Sequence, residues 1–278
     1  MDNSKHLVRA TTIWLVLSVV SIVVLLQLHI PPGSATTSAE IQTEAAVVFA
    51  IIAAVVGLGV VVYGLYFAIA FRHRGGPVED GPPIVGNPRL QGSWLAGSIV
   101  LVLFAAGYGS IELEGQVDPN LVVPAGATAA AQVAHPLVIQ VIGQQWQWTY
   151  RYPQYGGFET PVLVLPAHRL IQFNVTSLDV IHGFWAYQLG VKINAQPGSD
   201  NVGYVYISHP MRFDVECASL CGLWHGYMRN VGANAGRVLT PAGFASWLSA
   251  AQQKYGPMER YLPPYSRIYY PQPNTYAT

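Results

Sequence analysis

Three long apolar stretches dominate the chain before residue 112. Residues 13–30 read IWLVLSVVSIVVLLQLHI, residues 45–71 read AAVVFAIIAAVVGLGVVVYGLYFAIAF without a charge, and residues 94–111 read WLAGSIVLVLFAAGYGSI. A bilayer core needs roughly 20 apolar residues in a helix, so each run predicts a membrane-spanning helix; the second is long enough to tilt or to project beyond the bilayer. Lys5 and Arg9 precede the first run and Arg72, Arg74 and Arg89 lie between the second and third, whereas residues 31–44 carry no Lys or Arg. By the positive-inside rule the N-terminus is inside and the segment after residue 111 outside. The first run has a second reading, as a secretory signal followed by the small residues of PPGSATTSA; under either reading the remainder of the chain keeps the same topology.

After residue 136 the period changes to two. LVIQVIG, VLVL, RLIQFNVTS, NVGYVYIS and RFDVEC are short, rich in β-branched and aromatic residues, and bounded by Gly, Pro, Asn or Asp. That spacing predicts an all-β sandwich or barrel. In RLIQFNVTS, Ile171, Phe173 and Val175 share one face and Gln172, Asn174 and Thr176 the other, the pattern of a half-buried strand. TPAGFASWLSAAQQKY, residues 240–255, has a Thr N-cap, Pro at the first helical position and apolar spacing of three to four, which predicts a terminal helix. The organisation expected is an N-terminal segment 1–42 holding the first helix or signal-like anchor, a membrane hairpin 43–111, an outer β domain 112–255 and an extended Pro- and Tyr-rich tail 256–278.

Composition agrees with this division. The chain is 51% hydrophobic and 10% charged, against about 25% charged in soluble domains. Residues 112–278 balance nine acidic residues with nine Lys or Arg, so no basic face is available for nucleic acid and long-range steering of a charged partner is modest.

The only two cysteines stand in ECASLCGLWHGYMRN, with Cys217, Cys221, His225 and Met228 inside twelve positions. A pair of cysteines in an exported domain is ordinarily a disulfide, but a disulfide has no use for the neighbouring His and Met. Thiolate, thioether and imidazole together suit copper; zinc favours four Cys or His ligands without Met. Two bridging thiolates can hold two copper ions, each completed by one histidine, so a second histidine is needed. His182, in SLDVIHGFWAYQLG, follows the predicted strand RLIQFNVTS at a turn beside Gly183 and is the favoured candidate over His135, His168 and His209.

At these residues the chain resembles subunit II of the haem–copper cytochrome c oxidases. DVIHGFWAYQLGVKINAQPG is similar to that family's DVIHSF…LGVK.DA.PG segment, ECASLCGLWHGYM to its C-x-E-x-C-G-x-x-H-x-x-M loop, and VIGQQWQWTYRY to its aromatic stretch G-H-Q-W-Y-W-S-Y. The resemblance implies a membrane-anchored, all-β cupredoxin-like barrel following two to three transmembrane helices, and a binuclear, mixed-valence CuA centre. Cys217 and Cys221 would bridge the coppers, His182 and His225 would each terminate one, Met228 would be a weak axial ligand and the Ser219 carbonyl the remaining ligand. Trp146 aligns with the tryptophan that receives electrons in the family, while Trp148 and Tyr150 read as packed strand aromatics. Asp179 either orients a ligand or caps a turn.

The resemblance further implies an electron-transfer subunit of a respiratory oxidase in the plasma (inner) membrane, with its outer domain on the periplasmic side. Its partners would be a haem-bearing catalytic subunit I, other oxidase subunits, and a cytochrome c or cupredoxin donor, for which Asp214 and Glu216 are local contacts. Such a complex reduces dioxygen to water and pumps protons. Some positions depart from the family pattern. Ser219 stands where a Glu helps bind Mg²⁺, so Mg²⁺ is not expected in the same way. Gln91 stands where a Glu serves proton uptake, and Gln144 and Gln147 replace a His and an aromatic. The competing function is a membrane-anchored copper-handling or thiol-redox assembly protein, which needs an exposed, reactive dithiol. A quinol-oxidase type subunit without copper is the third reading, and the presence of both cysteines opposes it.

Overall fold

The structure is a computed structural model, and it describes residues 3–28, 36–73, 75–76, 86–126 and 128–261. It divides into two compact units: Met1–Ile30 with Glu44–Ile111, and Pro31–Thr43 with Glu112–Thr278.

The first unit is helical. Helices α1 (Asn3–Gln27), α2 (Thr37–Ala70) and α3 (Pro88–Val117) follow in order, and within them Ser4–Gln27, Thr37–Ala70 and Pro88–Glu112 are long and apolar enough to cross a membrane. All three begin earlier than their apolar runs. For α3 the reason is local: Asn87 Oδ1 accepts from the backbone N–H groups of Arg89 and Leu90 at 3.1 and 3.3 Å, and Pro88 occupies the first helical position, where its missing N–H costs nothing. Helices α1 and α2 meet through polar contacts, which substitute for the hydrophobic driving force that lipid cannot supply. The Trp14 indole N–H donates to the Val55 carbonyl at 2.9 Å, and the Thr11 hydroxyl and Tyr63 Oη lie 2.7 Å apart.

The second unit holds the β domain. Its strands are β1 (Leu137–Gln144), β2 (Gln147–Arg151), β3 (Glu159–Thr160), β4 (Val164–Pro166), β5 (Arg169–Ser177), β6 (His182–Ala186), β7 (Val191–Pro197), β8 (Asn201–Ile207), β9 (Met211–Phe213), β10 (Val215–Cys217), β11 (Arg229–Asn230) and β12 (Gly236–Leu239). One sheet runs in the order β11-β10-β6-β7-β5-β1-β2-β3, with β8 also paired to β5; a second has the order β4-β12-β9. The curled sheets enclose a core of Ile139, Val141, Trp148, Tyr150, Phe173, Val175, Phe184, Phe213 and Val238, among others. This is the cupredoxin-like half-barrel, after apolar helices, that the resemblance implies.

Strand β5 departs from the half-buried expectation. Asn174 is 2% exposed and Thr176 0%, so its polar face is covered as well. The strand is flanked on both sides by β1 and β8, and the short helices α4 (Pro119–Val122) and α5 (Ala129–Ala134) lie over its start. Val122, Val123 and Leu170 form a small second core there, and Gln132 Oε1 accepts from the Leu170 N–H. RFDVEC is also two strands, β9 and β10, because the chain passes from the second sheet to the first at Asp214.

Helix α6 (Pro241–Tyr255) starts as expected, with the Thr240 hydroxyl accepting from the Gly243 N–H. It buries Phe244 against Tyr155 and Trp247. The tail does not begin extended: Gly256–Tyr261 is a 3-10 helix, and residues 262–278 lie outside the described residues.

Candidate metal centre

Strand pairing brings the two halves of the cluster together. β6 lies antiparallel to β10 with Cys217 opposite Phe184, and the Ala218 N–H donates to the Gly183 carbonyl at 2.8 Å. His182, the first residue of β6, is thereby held beside Cys217, although 35 positions separate them. On the other side β10 pairs with β11, Glu216 opposite Arg229, and the Cys217 N–H donates to the Met228 carbonyl at 3.1 Å. Residues 218–227 therefore form a loop whose stem fixes Cys217 and Met228. A 3-10 turn, His225–Tyr227, folds the loop back.

The donor atoms converge. Cys217 Sγ lies 3.7 Å from Cys221 Sγ, 3.9 Å from His182 Nδ1 and 3.2 Å from the Ser219 carbonyl oxygen. Cys221 Sγ lies 3.5 Å from His225 Nδ1 and 3.8 Å from Met228 Sδ. The two sulfurs are not bonded to each other; a disulfide would bring them to about 2.05 Å. The ligand atoms of His182, Cys217 and Cys221 all fall within 4.8 Å of one another, and His225 and Met228 join the group through Cys221. A buried thiol pair with no S–S bond, faced by two imidazoles and a thioether, is a donor set for a soft cation.

Electrostatics follow the same lines. His182 is fully buried and its Nε2 lies 2.8 Å from Asp179 Oδ1. With its Nε2–H donating to the carboxylate, the ring is oriented so that Nδ1 faces the sulfurs. Burial alone would push the Asp179 pKa up, but hydrogen bonds from His182 and from the Gln145 and Val180 N–H groups outweigh it and hold the carboxylate low. Burial likewise opposes deprotonation of Cys217, yet hydrogen bonds involving His182, Gly183, Ser219 and Cys221 bring it down to about 6. Burial and the neighbouring Cys217 push Cys221 up. Cys217 is thus the readier of the two thiols to ionise, and a bound cation would take the place of the protons on both.

Trp146 packs on the loop: a Cβ built on Gly222 would stand 3.3 Å from the Trp146 ring and 2.8 Å from Gln145 Nε2. Gly222 also has φ +116°, open to glycine at little cost. Trp148 and Tyr150 are buried, the first edge-on to His182 with ring centroids 5.9 Å apart. His135, His168 and His209 belong to no metal-ligand group among the described residues.

One contributor escaped the sequence reading. Gln145 donates from its side chain to the Cys221 carbonyl at 2.8 Å and from its backbone to Asp179 Oδ2 at 2.7 Å, tying both sides of the cluster to the β1–β2 turn. Its place directly before Trp146 in the aromatic motif was the one signal available.

Residues 157–234 match the family model described as the periplasmic domain of cytochrome c oxidase subunit II. The chain is 31% identical over 227 residues to cytochrome c oxidase subunit 2 of Synechocystis sp., covering 69% of this chain and 66% of the relative. It is 29% identical over 224 residues to the corresponding protein of Thermostichus vulcanus, covering 66% of each. The chain thus spans about two thirds of the length of these curated relatives. Among solved structures, the periplasmic domain of subunit II of the cytochrome oxidase of Bradyrhizobium japonicum is 32% identical, with 48% of this chain and 99% of that one covered and a TM-score of 0.40. The matched segment contains His182, both cysteines, His225 and Met228, and with it the chain belongs to the cytochrome c oxidase subunit II family.

Proposed function

We propose that this chain is the electron-accepting subunit of a membrane-bound haem–copper oxidase, and that residues 182 and 217–228 hold a binuclear copper centre. One observation carries the reading: two unbonded, buried sulfurs 3.7 Å apart, each with its own imidazole Nδ1 within 3.9 Å. Cys217 and Cys221 would hold the copper pair through their thiolates, His182 and His225 through their imidazoles, and Met228 and the Ser219 carbonyl would complete the donor set. Bound copper would supply a one-electron store shared between two ions. The protein's part is to keep the ligands still, so that little rearrangement accompanies each electron. Met228 is fully buried, His182 is locked by Asp179, and the loop stem is closed by backbone hydrogen bonds.

The outer domain would lie on the periplasmic face of the plasma membrane. A cytochrome c or single-copper donor would deliver electrons near Trp146, whose ring lies against the loop at Gly222. The haem-bearing catalytic subunit would receive them and carry the oxygen chemistry. Around His225 the loop presents Leu220 at 86% and Leu223 at 84% exposure, with Trp224 and Tyr227 also exposed. No charged residue falls between positions 217 and 228. Such a collar suits a permanent, apolar contact better than a transient, charge-steered one. Buried thiols, at 9% and 4% exposure, do not suit the dithiol exchange that a copper-handling or assembly role requires.

The test is an EPR spectrum of the purified full chain loaded with copper. An electron shared equally by two copper nuclei gives a seven-line hyperfine pattern; a four-line pattern, or no copper signal in any oxidation state, overturns the proposal. Two substitutions refine it. Met228→Leu conserves volume, so the stability change is expected to stay below about 1.5 kcal/mol, while the copper hyperfine splitting shifts because the thioether is gone. An unchanged spectrum would remove Met228 from the ligand set. Asp179→Asn leaves an acceptor for His182 but removes the charge, and copper affinity in a competition titration is expected to fall about 10–100-fold.

A further inference from the structure

Away from the copper loop, strands β7 and β8 leave a turn at residues 198–200 and diverge. β8 pairs with β5 along its whole length, whereas β7 touches β5 only at Gln196 and Pro197 and otherwise pairs with β6. Asn201 Nδ2 bridges to the Asn194 carbonyl at 2.6 Å, and Ile193 fills the space beside Gly203. Beyond that closure the wedge opens into a cavity of about 530 Å³, lined by Lys192, Asn194, Gln196, Asn201 and Tyr204 on the strands and by Ser38 and Gln42 on α2. This lies within the range of small-molecule sites.

The start of α2 closes the wedge and is firmly fixed there. The Thr36 hydroxyl donates to the Leu189 carbonyl at 2.8 Å and accepts from the Ala39 N–H at 3.0 Å. Gln42 Nε2 donates to the Gly190 carbonyl. Gly190, at φ +67°, lets the two backbones touch: a Cβ there would stand 2.6 Å from the Ala39 nitrogen.

Three features give the cavity a sign. It receives the positive end of a 34-residue helix, which favours anions. Lys192 is the one formally charged residue of its lining. Ser38, 3% exposed, has a hydroxyl with no hydrogen-bond partner among the described residues, although buried hydroxyls are ordinarily satisfied. Glu40 and Glu44 are exposed and do not line the cavity. Asp200, at the turn, does not line the cavity either, and burial raises its pKa. The depth of the site is set along the helix itself. The uncharged apolar run of α2 starts at Ala45, seven residues after Ser38, or about 10 Å at 1.5 Å per residue.

We propose that the wedge between β7 and β8 binds the phosphate of an anionic phospholipid headgroup, with the Ser38 hydroxyl and Lys192 as its donors. The site does not depend on the copper reading.

The experiment is native mass spectrometry of the full-length chain in detergent, titrated with dioleoylphosphatidylglycerol, with dioleoylphosphatidylcholine, and with inorganic phosphate. Phosphatidylglycerol is expected to be retained about tenfold more tightly than phosphatidylcholine. Lys192→Gln should weaken it about fivefold, as expected for one cation near an anionic lipid. Asn194→Asp, isosteric but negative, should weaken it about tenfold, and Ser38→Ala a few-fold. Lys192 and Asn194 are both exposed at the rim, so unchanged thermal melts are expected to certify the fold of those two variants. Equal retention of the two lipids, or phosphatidylglycerol binding untouched by Lys192→Gln and Asn194→Asp, overturns the proposal. Displacement of the lipid by millimolar phosphate would make the cavity a free-anion site and overturn it equally.

Discussion

On the proposed binuclear copper centre, replacing Cys221 by serine is expected to abolish the seven-line copper signal and, with it, electron delivery through this chain. Cys221 is the hub of the cluster: its sulfur lies 3.7 Å from Cys217 Sγ, 3.5 Å from His225 Nδ1 and 3.8 Å from Met228 Sδ. Serine is close in shape, so the loop stem and the barrel persist, but a hydroxyl neither ionises readily nor binds a soft cation as a thiolate does. Removing a direct ligand should cost more copper affinity than the roughly 10–100-fold typical of a supporting partner. At most one ion would remain on Cys217, His182 and Met228, giving four hyperfine lines. The folding cost is that of a hydroxyl at a site 4% exposed, about 1–3 kcal/mol if it finds no partner. Loss of the paired-copper signal in a chain that still melts cooperatively separates a ligand from a structural cysteine. A Cys221→Ser protein that kept seven lines would exclude the bridging role.

The reach of the sequence was set by how local each feature is. Cys217, Cys221, His225 and Met228 are visible because their spacing lies within one loop. His182 is a different case, since three other histidines outside the loop, His135, His168 and His209, compete with it. Its distinction arises from β6 pairing with β10, which a single strand pattern does not encode. The period-two segments gave the strands, and Thr240 with Pro241 gave the start of α6, because propensity and capping act within a few residues. What stayed hidden was tertiary. Asn174 and Thr176 look solvent-facing in RLIQFNVTS and are buried; Thr176 lies against Gln196 of β7, a partner that the pattern of β5 alone does not encode. Gln145 looks like a turn residue until the loop carbonyl of Cys221 comes within hydrogen-bond reach. Thr36 and Gln42, within the N-terminal segment 1–42 expected from the sequence, belong to the unit of the β domain through contacts to Leu189 and Gly190 that span about 150 positions.

Phe184→Ala is expected to be the most destabilising single change outside the ligands. Phe184 has no exposed surface, and its ring meets Phe173 at 5.4 Å, Trp148 at 5.6 Å and Tyr150 at 6.4 Å between centroids. It joins β5, β2 and β6 across the barrel. Truncation removes apolar contact and leaves a cavity among large aromatic rings that cannot collapse to fill it, a combination that costs about 3–5 kcal/mol. That is a large share of the stability of an ordinary domain, so chemical denaturation should show a lower midpoint with an unchanged slope. The same residue stands opposite Cys217 in the β6–β10 register and two positions from His182. Loosening it should therefore broaden the copper signal through variation in ligand geometry, while the line count stays at seven because every donor atom remains. A Phe184→Leu chain, which refills much of the space, should recover most of the midpoint and narrow the lines again. If the alanine variant instead kept wild-type stability, β6 would not be held by the barrel core, and the rigidity of His182 would have to come from Asp179 and the loop alone.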